Sequence, residues 1–143
     1  TFGGGVTKDA TGNIPNPSST ADEQMKDFAP DAVLSTYCHV ADVHSVLHRP
    51  SQIHNYFVEL YPTFVDASDM DAHIWDIEEP SGRNPGMVFL AFRNPKSGYH
   101  SGADTFFFDG NNKIIRQFTI ETHDPIVMEE ATYGCGSCGF GIC

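Results

Sequence analysis

The chain has 143 residues, 40% hydrophobic and 12% aromatic, with 19 acidic against 8 basic residues and a formal net charge of −11. That length gives one domain with a real core, and the composition excludes a disordered chain. The charge speaks against nucleic-acid phosphates and anionic membranes as partners, since both need clustered Lys and Arg. No apolar run reaches the ~20 residues of a membrane span, so no membrane insertion is expected. The chain starts at Thr1 without a basic-then-apolar segment, which reads as a processed protein with no signal peptide in view.

Residues 1–19, rich in Gly, Pro, Asn and Ser, read as an irregular arm. A short helix follows, capped at Ser19 or Thr20, with Asp22 and Glu23 in its first turn. Met25, Phe28 and Ala29 form its apolar face, and Pro30 ends it. Asp31 to Val40 reads as a strand. Pro50 suits the first turn of a second helix, with Ile53, Tyr56, Phe57 and Leu60 at helical spacing and Pro62 as its stop.

Strand signals dominate the rest. "DAHIWDIEE" alternates His73, Trp75 and Ile77 against Ala72, Ile74 and Asp76; "PSGRNPG" is a loop; Met87 to Phe92 is a nearly continuous apolar strand; "NPKSG" turns again. "GADTFFFDGNNKIIRQFTIET", residues 102–122, is a hairpin turning on Asp109-Gly110-Asn111-Asn112. Residues 126–143 form a Gly/Cys-rich tail with a brief helical chance at "IVMEEATY". The main domain is therefore 20–125: short helix, strand, helix, then four strands, an α+β class.

Cys38, Cys135, Cys138 and Cys143 are the four cysteines, the last three spaced C-x2-C-x4-C. Zinc would want a second matched ligand pair, and an iron–sulfur cluster would need Cys38 as its fourth thiolate, so no metal site is assigned. A disulfide in the tail, with Cys38 as a further partner, is expected, and three full pairings stay open. This tail and the acidic charge lean toward an oxidising, secreted or organellar setting. His44 and His48 are four apart and would meet on a helix, but their segment reads as a loop into Pro50 and lacks H-E-x-x-H.

On a strand, residues two apart share a face. His100, Gly102, Asp104, Phe106 and Phe108 therefore lie together, and on the returning strand so do Gln117, Thr119 and Glu121. A carboxylate among rings is costly when charged, so the Asp104 pKa is expected to rise. It could then act as acid, as hydrogen-bond donor to an enolate, or as base near neutrality, with His100 as partner. The alternative is a structural acid satisfied by Gln117, a tyrosine hydroxyl or a backbone N–H.

Three stretches, "DFAPDAVLSTY", "RPSQIHNYFVEL" and "ADTFFFDGNNKIIRQFTIET", give the domain a look that resembles the nuclear transport factor two-like superfamily, closest to its SnoaL-like and ketosteroid isomerase-like group. The resemblance implies a cone-shaped, strongly bent antiparallel sheet (cystatin-like, SnoaL-like) wrapped around helices, with a pocket at the open end. That pocket serves isomerisation, dehydration, ring closure or hydrolysis in some members, while others only bind or assemble. It places Asp104 at the isomerase's oxyanion-holding carboxyl. Thr36 stands where that enzyme has its general-base aspartate, and threonine carries no proton near neutral pH. The pocket face would hold Asp104, His100, Gln117, Thr119 and Glu121.

Tyr37 would orient a ligand with Gln117, His39 would stand at the rim, and Tyr56 would offer its hydroxyl. Trp75, Phe89, Phe92, Phe106 and Phe57 are core or, alternatively, a wall for a flat apolar ligand. Two readings stay open. One is a pocket for a small, mostly apolar molecule with acid–base chemistry at Asp104 and His100 and no organic cofactor. The other is a non-catalytic module that pairs through the outer sheet face as a homodimer or as part of a larger assembly.

Overall fold

The computed structural model describes residues 17–38 and 43–124. Residues 1–16 of the expected arm, His39, the helical chance at 126–133 and the cysteine tail lie outside the described residues; of Cys38 only the backbone is described.

Helix α1 (Pro17–Met25) takes in the last three residues of the expected arm and stops before Phe28. Strand β1 runs Phe28–Cys38. The expected helix end at Pro30 thus falls inside a strand. This is tolerated because the pairing of β1 with the last strand lapses between Phe28 and Val33, so the missing N–H of Pro30 breaks no ladder bond. Strand β2 (Val43–Leu47) corrects the loop expected there. Ser45 and Leu47 are buried while His44 and Val46 are exposed, a period of two within five residues. His44 and His48 therefore never share a helix face.

Helix α2 (Pro50–Leu60) forms as expected, with Pro50 in its first turn and Ile53, Tyr56 and Phe57 buried. The Gln52 side chain reaches back to accept from the N–H groups of His48 and Arg49, satisfying free donors at the helix start. Two short 3-10 turns, Tyr61–Thr63 and Ala67–Asp69, carry the chain to β3 (Asp71–Glu78). Then come β4 (Gly86–Asn94), β5 (Tyr99–Phe108) and β6 (Ile114–His123). In the β5–β6 loop Asp109 Oδ1 accepts from the N–H groups of Asn111 and Lys113, and Asn112 takes φ of 60°. Asn tolerates that left-handed conformation.

The six strands form one sheet in the order β2-β1-β6-β5-β4-β3. Every pairing is antiparallel except β1 with β6, so the sheet is mixed where a purely antiparallel one was expected. Register shifts interrupt β1, β3, β4 and β5–β6, and such bulges bend strands and sharpen twist. The sheet curls over α2, and its inner face with α1 and α2 makes the core: Leu34, Leu47, Ile53, Tyr56, Val88 and Ile114 are almost wholly buried. Phe57 packs between Phe28 and Tyr61, with ring centroids 5.7 Å apart on each side. The fold is α+β, a curled sheet closed by helices on one face.

Candidate functional site

The β5–β6 hairpin builds the polar end of a cavity. Cross-strand partners on its inner face run Gly102 with Glu121, Asp104 with Thr119, and Phe106 with Gln117. The cavity, about 370 Å3, lies between this face, α2 with its 3-10 continuation, and the inner face of β4. Apolar side chains dominate its wall; Gln24, Asp104, Gln117, Thr119 and Glu121 are the polar exceptions, together with the tyrosine hydroxyls. No Lys, Arg or His lines it among the described residues.

Asp104 Oδ1 is held by the Thr119 hydroxyl, which donates at 2.6 Å, and by the Gln117 amide at 3.5 Å. Gln117 Nε2 also donates to Thr119 Oγ1 at 3.1 Å, so the three side chains form one chain of bonds ending on the carboxylate. Asp104 keeps some accessible surface because it faces the cavity. Burial still pushes its carboxyl up to about 6, against the pull of the bonds from Thr119 and Gln117. Glu121, 2% exposed, is pushed up to about 8 by burial first and by neighbouring Asp104 second.

Glu121 is held further up than Asp104, so as pH rises Asp104 ionises first and the pair's last proton sits on Glu121. Glu121 Oε1 and Gln117 Oε1 are buried with no hydrogen-bond partner. Around them the phenol of Tyr56 is pushed far up by burial and then by Glu121 and Asp104, and Tyr61 and Tyr99 are raised by burial, so all three stay protonated. His123, two residues past Glu121, is buried edge-on against Tyr99 at 4.1 Å, and burial lowers its pKa.

Of the residues singled out in the sequence, Asp104, Tyr56, Phe57, Phe92, Phe106, Gln117, Thr119 and Glu121 meet in this cavity. His100 does not. A bulge pairs Tyr99 with His123 and Ser101 with Thr122, so His100 turns outward to Asp124, 2.8 Å away, and Tyr99 takes the inner place. Trp75 is 69% exposed on the strand at the sheet edge, because Ala72 and Ile74 face the cavity and alternation turns Trp75 to the other side; it is neither core nor wall. Tyr37 and Phe89 lie one residue off the inner-facing Thr36 and Val88, and line a shallow depression of about 240 Å3 on the outer face with His44, Thr105 and Phe118. Sequence reasoning missed Gln24, Tyr61, Phe64 and Met70 in the wall. The aromatics of "YPTF" hinted at Tyr61 and Phe64 alone, since 3-10 turns carry no long period to read.

No family model matches the chain, and no curated protein does either. Solved structures do. An NTF2-like protein of unknown function from Shewanella baltica OS155 superposes with a TM-score of 0.53 at 11% identity, covering 78% of this chain and 86% of that one. A second NTF2-like protein of unknown function, from Methylobacillus flagellatus KT, gives 0.49 at 15% identity over 71% and 75%. A ketosteroid isomerase-like protein from Erwinia carotovora atroseptica gives 0.47 at 12% over 71% and 80%. With its curled six-stranded sheet closed over α2, this chain has the NTF2-like fold that its hairpin resembles.

Proposed function

We propose that the cavity binds a small, mostly apolar organic molecule and that Asp104 is its principal acid–base group. One observation carries this reading: two carboxyls with separated pKa values stand at the polar end of an otherwise apolar hollow. Pairs pushed apart in this way are how one site supplies an acid and a base together. Asp104, ionised near pH 7, would take a proton from an acidic C–H. Glu121, still protonated, would donate one to an oxygen or carbon of the same molecule. Once Asp104 passes its proton back to Glu121, the net change is a proton moved within the substrate, as in an isomerase; where Glu121 instead protonates a leaving hydroxyl, water departs as in a dehydratase, and where the carbanion closes on a carbonyl of the same molecule, Glu121 protonates that oxygen as in a cyclase. Thr119 and Gln117 would aim Asp104, and His100 has no part.

The test is Asp104→Asn with folding checked by thermal melting. Loss of ligand found by native mass spectrometry on the wild type, with an unchanged melt, supports the reading; unchanged binding and turnover sink it.

A second reading is favoured by the opposite face. Phe118 and Ile120, 40% and 51% exposed, stand beside Tyr37 and Phe89 on the outer sheet surface. A second copy of the chain seated there would make a homodimer without touching the cavity.

A further inference from the structure

We infer that the molecule taken by the cavity is a cation, an apolar body bearing a protonated amine, with its ammonium seated between Asp104 and Glu121. The inference rests on the binding reading above and names the ligand class. It comes from a count of donors and acceptors. The Thr119 hydroxyl has one proton and gives it to Asp104. The Gln117 amide directs its N–H bonds to Thr119 and Asp104. Tyr61 donates to Gln24. The Thr63 hydroxyl gives its proton to the Leu60 carbonyl, so Tyr99 donates to Thr63.

Those donors are committed; apart from the Glu121 carboxyl proton and the Gln24 amide, what remains at the polar end are acceptors. Gln117 Oε1 and Glu121 Oε1 are both buried and unpartnered. Each such acceptor costs about 1–3 kcal/mol until a donor arrives. An ammonium brings three donors and a full positive charge to a site whose lining holds two carboxyls and no basic side chain. A carboxylate ligand would be a second negative group beside Asp104, and an alcohol would offer a single proton. The rings of Tyr56, Phe57, Tyr61 and Phe106 add faces on which a cation is favoured over a neutral group. The net charge of −11 draws cations toward the chain before contact.

Seating an ammonium has a proton signature. The titratable groups turned to the seat are Asp104 on β5, Glu121 on β6, Tyr56 on α2 and Tyr61 in the turn after it. Near neutral pH Asp104 is already ionised and both phenols stay protonated, so the new positive charge acts on Glu121 and expels its proton; with a ligand of this class the acid beside Asp104 is the ammonium itself and no longer Glu121.

The experiment is calorimetric titration of the whole chain with 2-phenylethylamine, 2-phenylethanol and phenylacetate at pH 7, in two buffers of different ionisation enthalpy. The amine is expected to bind at least about tenfold tighter than the alcohol, about 1.4 kcal/mol, with phenylacetate weakest. Proton release should accompany the amine and vanish in Glu121→Gln. Asp104→Asn should lower amine affinity at least about tenfold while leaving the alcohol nearly unchanged. If the alcohol binds as tightly as the amine, the ligand class is wrong and the apolar cavity stands. Preference for phenylacetate also overturns the ligand class. If none of the three binds at millimolar concentration, the binding reading falls together with it.

Discussion

Glu121 is the residue on which pH acts most directly. Its ordinary pKa of 4.5 is raised to about 8 in the fold, chiefly by burial and then by Asp104. The folded state therefore holds this proton more tightly than the unfolded chain does. The stability it confers is complete below about pH 4.5 and is lost as pH rises through about 8. Asp104, raised from 3.8 to about 6, loses its share over the lower part of the same window. The wild type should thus lose stability relative to Glu121→Gln between pH 5 and 8, by on the order of 2 kcal/mol at the upper end. Urea midpoints of the two proteins across that range check it; parallel curves would show that Glu121 titrates normally. The comparison isolates Glu121 from the histidines, which titrate in both proteins. The acid at 104 was legible from the sequence because a carboxylate before three phenylalanines invites the question of its solvent. The pairing with Glu121 was less so, because it depends on the register of the returning strand.

At the scale of elements, bulges decide which residues face the cavity. Strict alternation puts His100 beside Asp104, and it holds from Gly102 to Phe106; one extra residue before Ser101 reverses it. On β3 the same device sets Asp76 opposite outward Phe89 and Ile77 opposite inward Val88. A bulge has no fixed residue signature, so alternation is readable and its interruptions are not. β2 escaped notice for another reason: Ser45 and Leu47 face in while His44 and Val46 face out, so each face mixes polar with apolar residues and leaves no alternation to read.

Gly102 shows what such details cost. It pairs with Phe92 on β4, and a Cβ at Gly102 would stand 2.3 Å from the Phe92 ring, which lies over the glycine at the cavity wall. Gly102→Ala should therefore push Phe92 away and destabilise the chain by about 1–3 kcal/mol. Gly110 at the hairpin turn has nothing within 4 Å and no positive φ, so Gly110→Ala should shift stability by less than about 0.5 kcal/mol. Thermal melts of the pair suffice; equal midpoints would mean the Phe92 ring moves freely.

At the scale of the whole molecule, the sheet is a partition. Along β6, Gln117, Thr119 and Glu121 are buried on the cavity side while Arg116, Phe118 and Ile120 face outward. The Arg116 guanidinium stacks 4.6 Å from the Phe118 ring, and Phe107 meets that ring edge-on at 6.2 Å. The outer patch is thus ordered by its own contacts. Its apolar centre has one natural occupant in the second reading, the same patch of another copy, because a two-fold pairing brings each residue against its own surroundings. A charge placed at that centre would be buried twice in such a dimer and only hydrated in a monomer. Ile120→Asp should therefore raise the dimer dissociation constant by at least about tenfold while leaving cavity binding unchanged. Sedimentation equilibrium of wild type and variant reads the first effect, and ligand titration of the same samples reads the second. A wild type that stays monomeric at tens of micromolar removes the second copy as occupant. A variant that loses its ligand would show that the two faces of β6 are coupled, against the alternation on which the cavity is built.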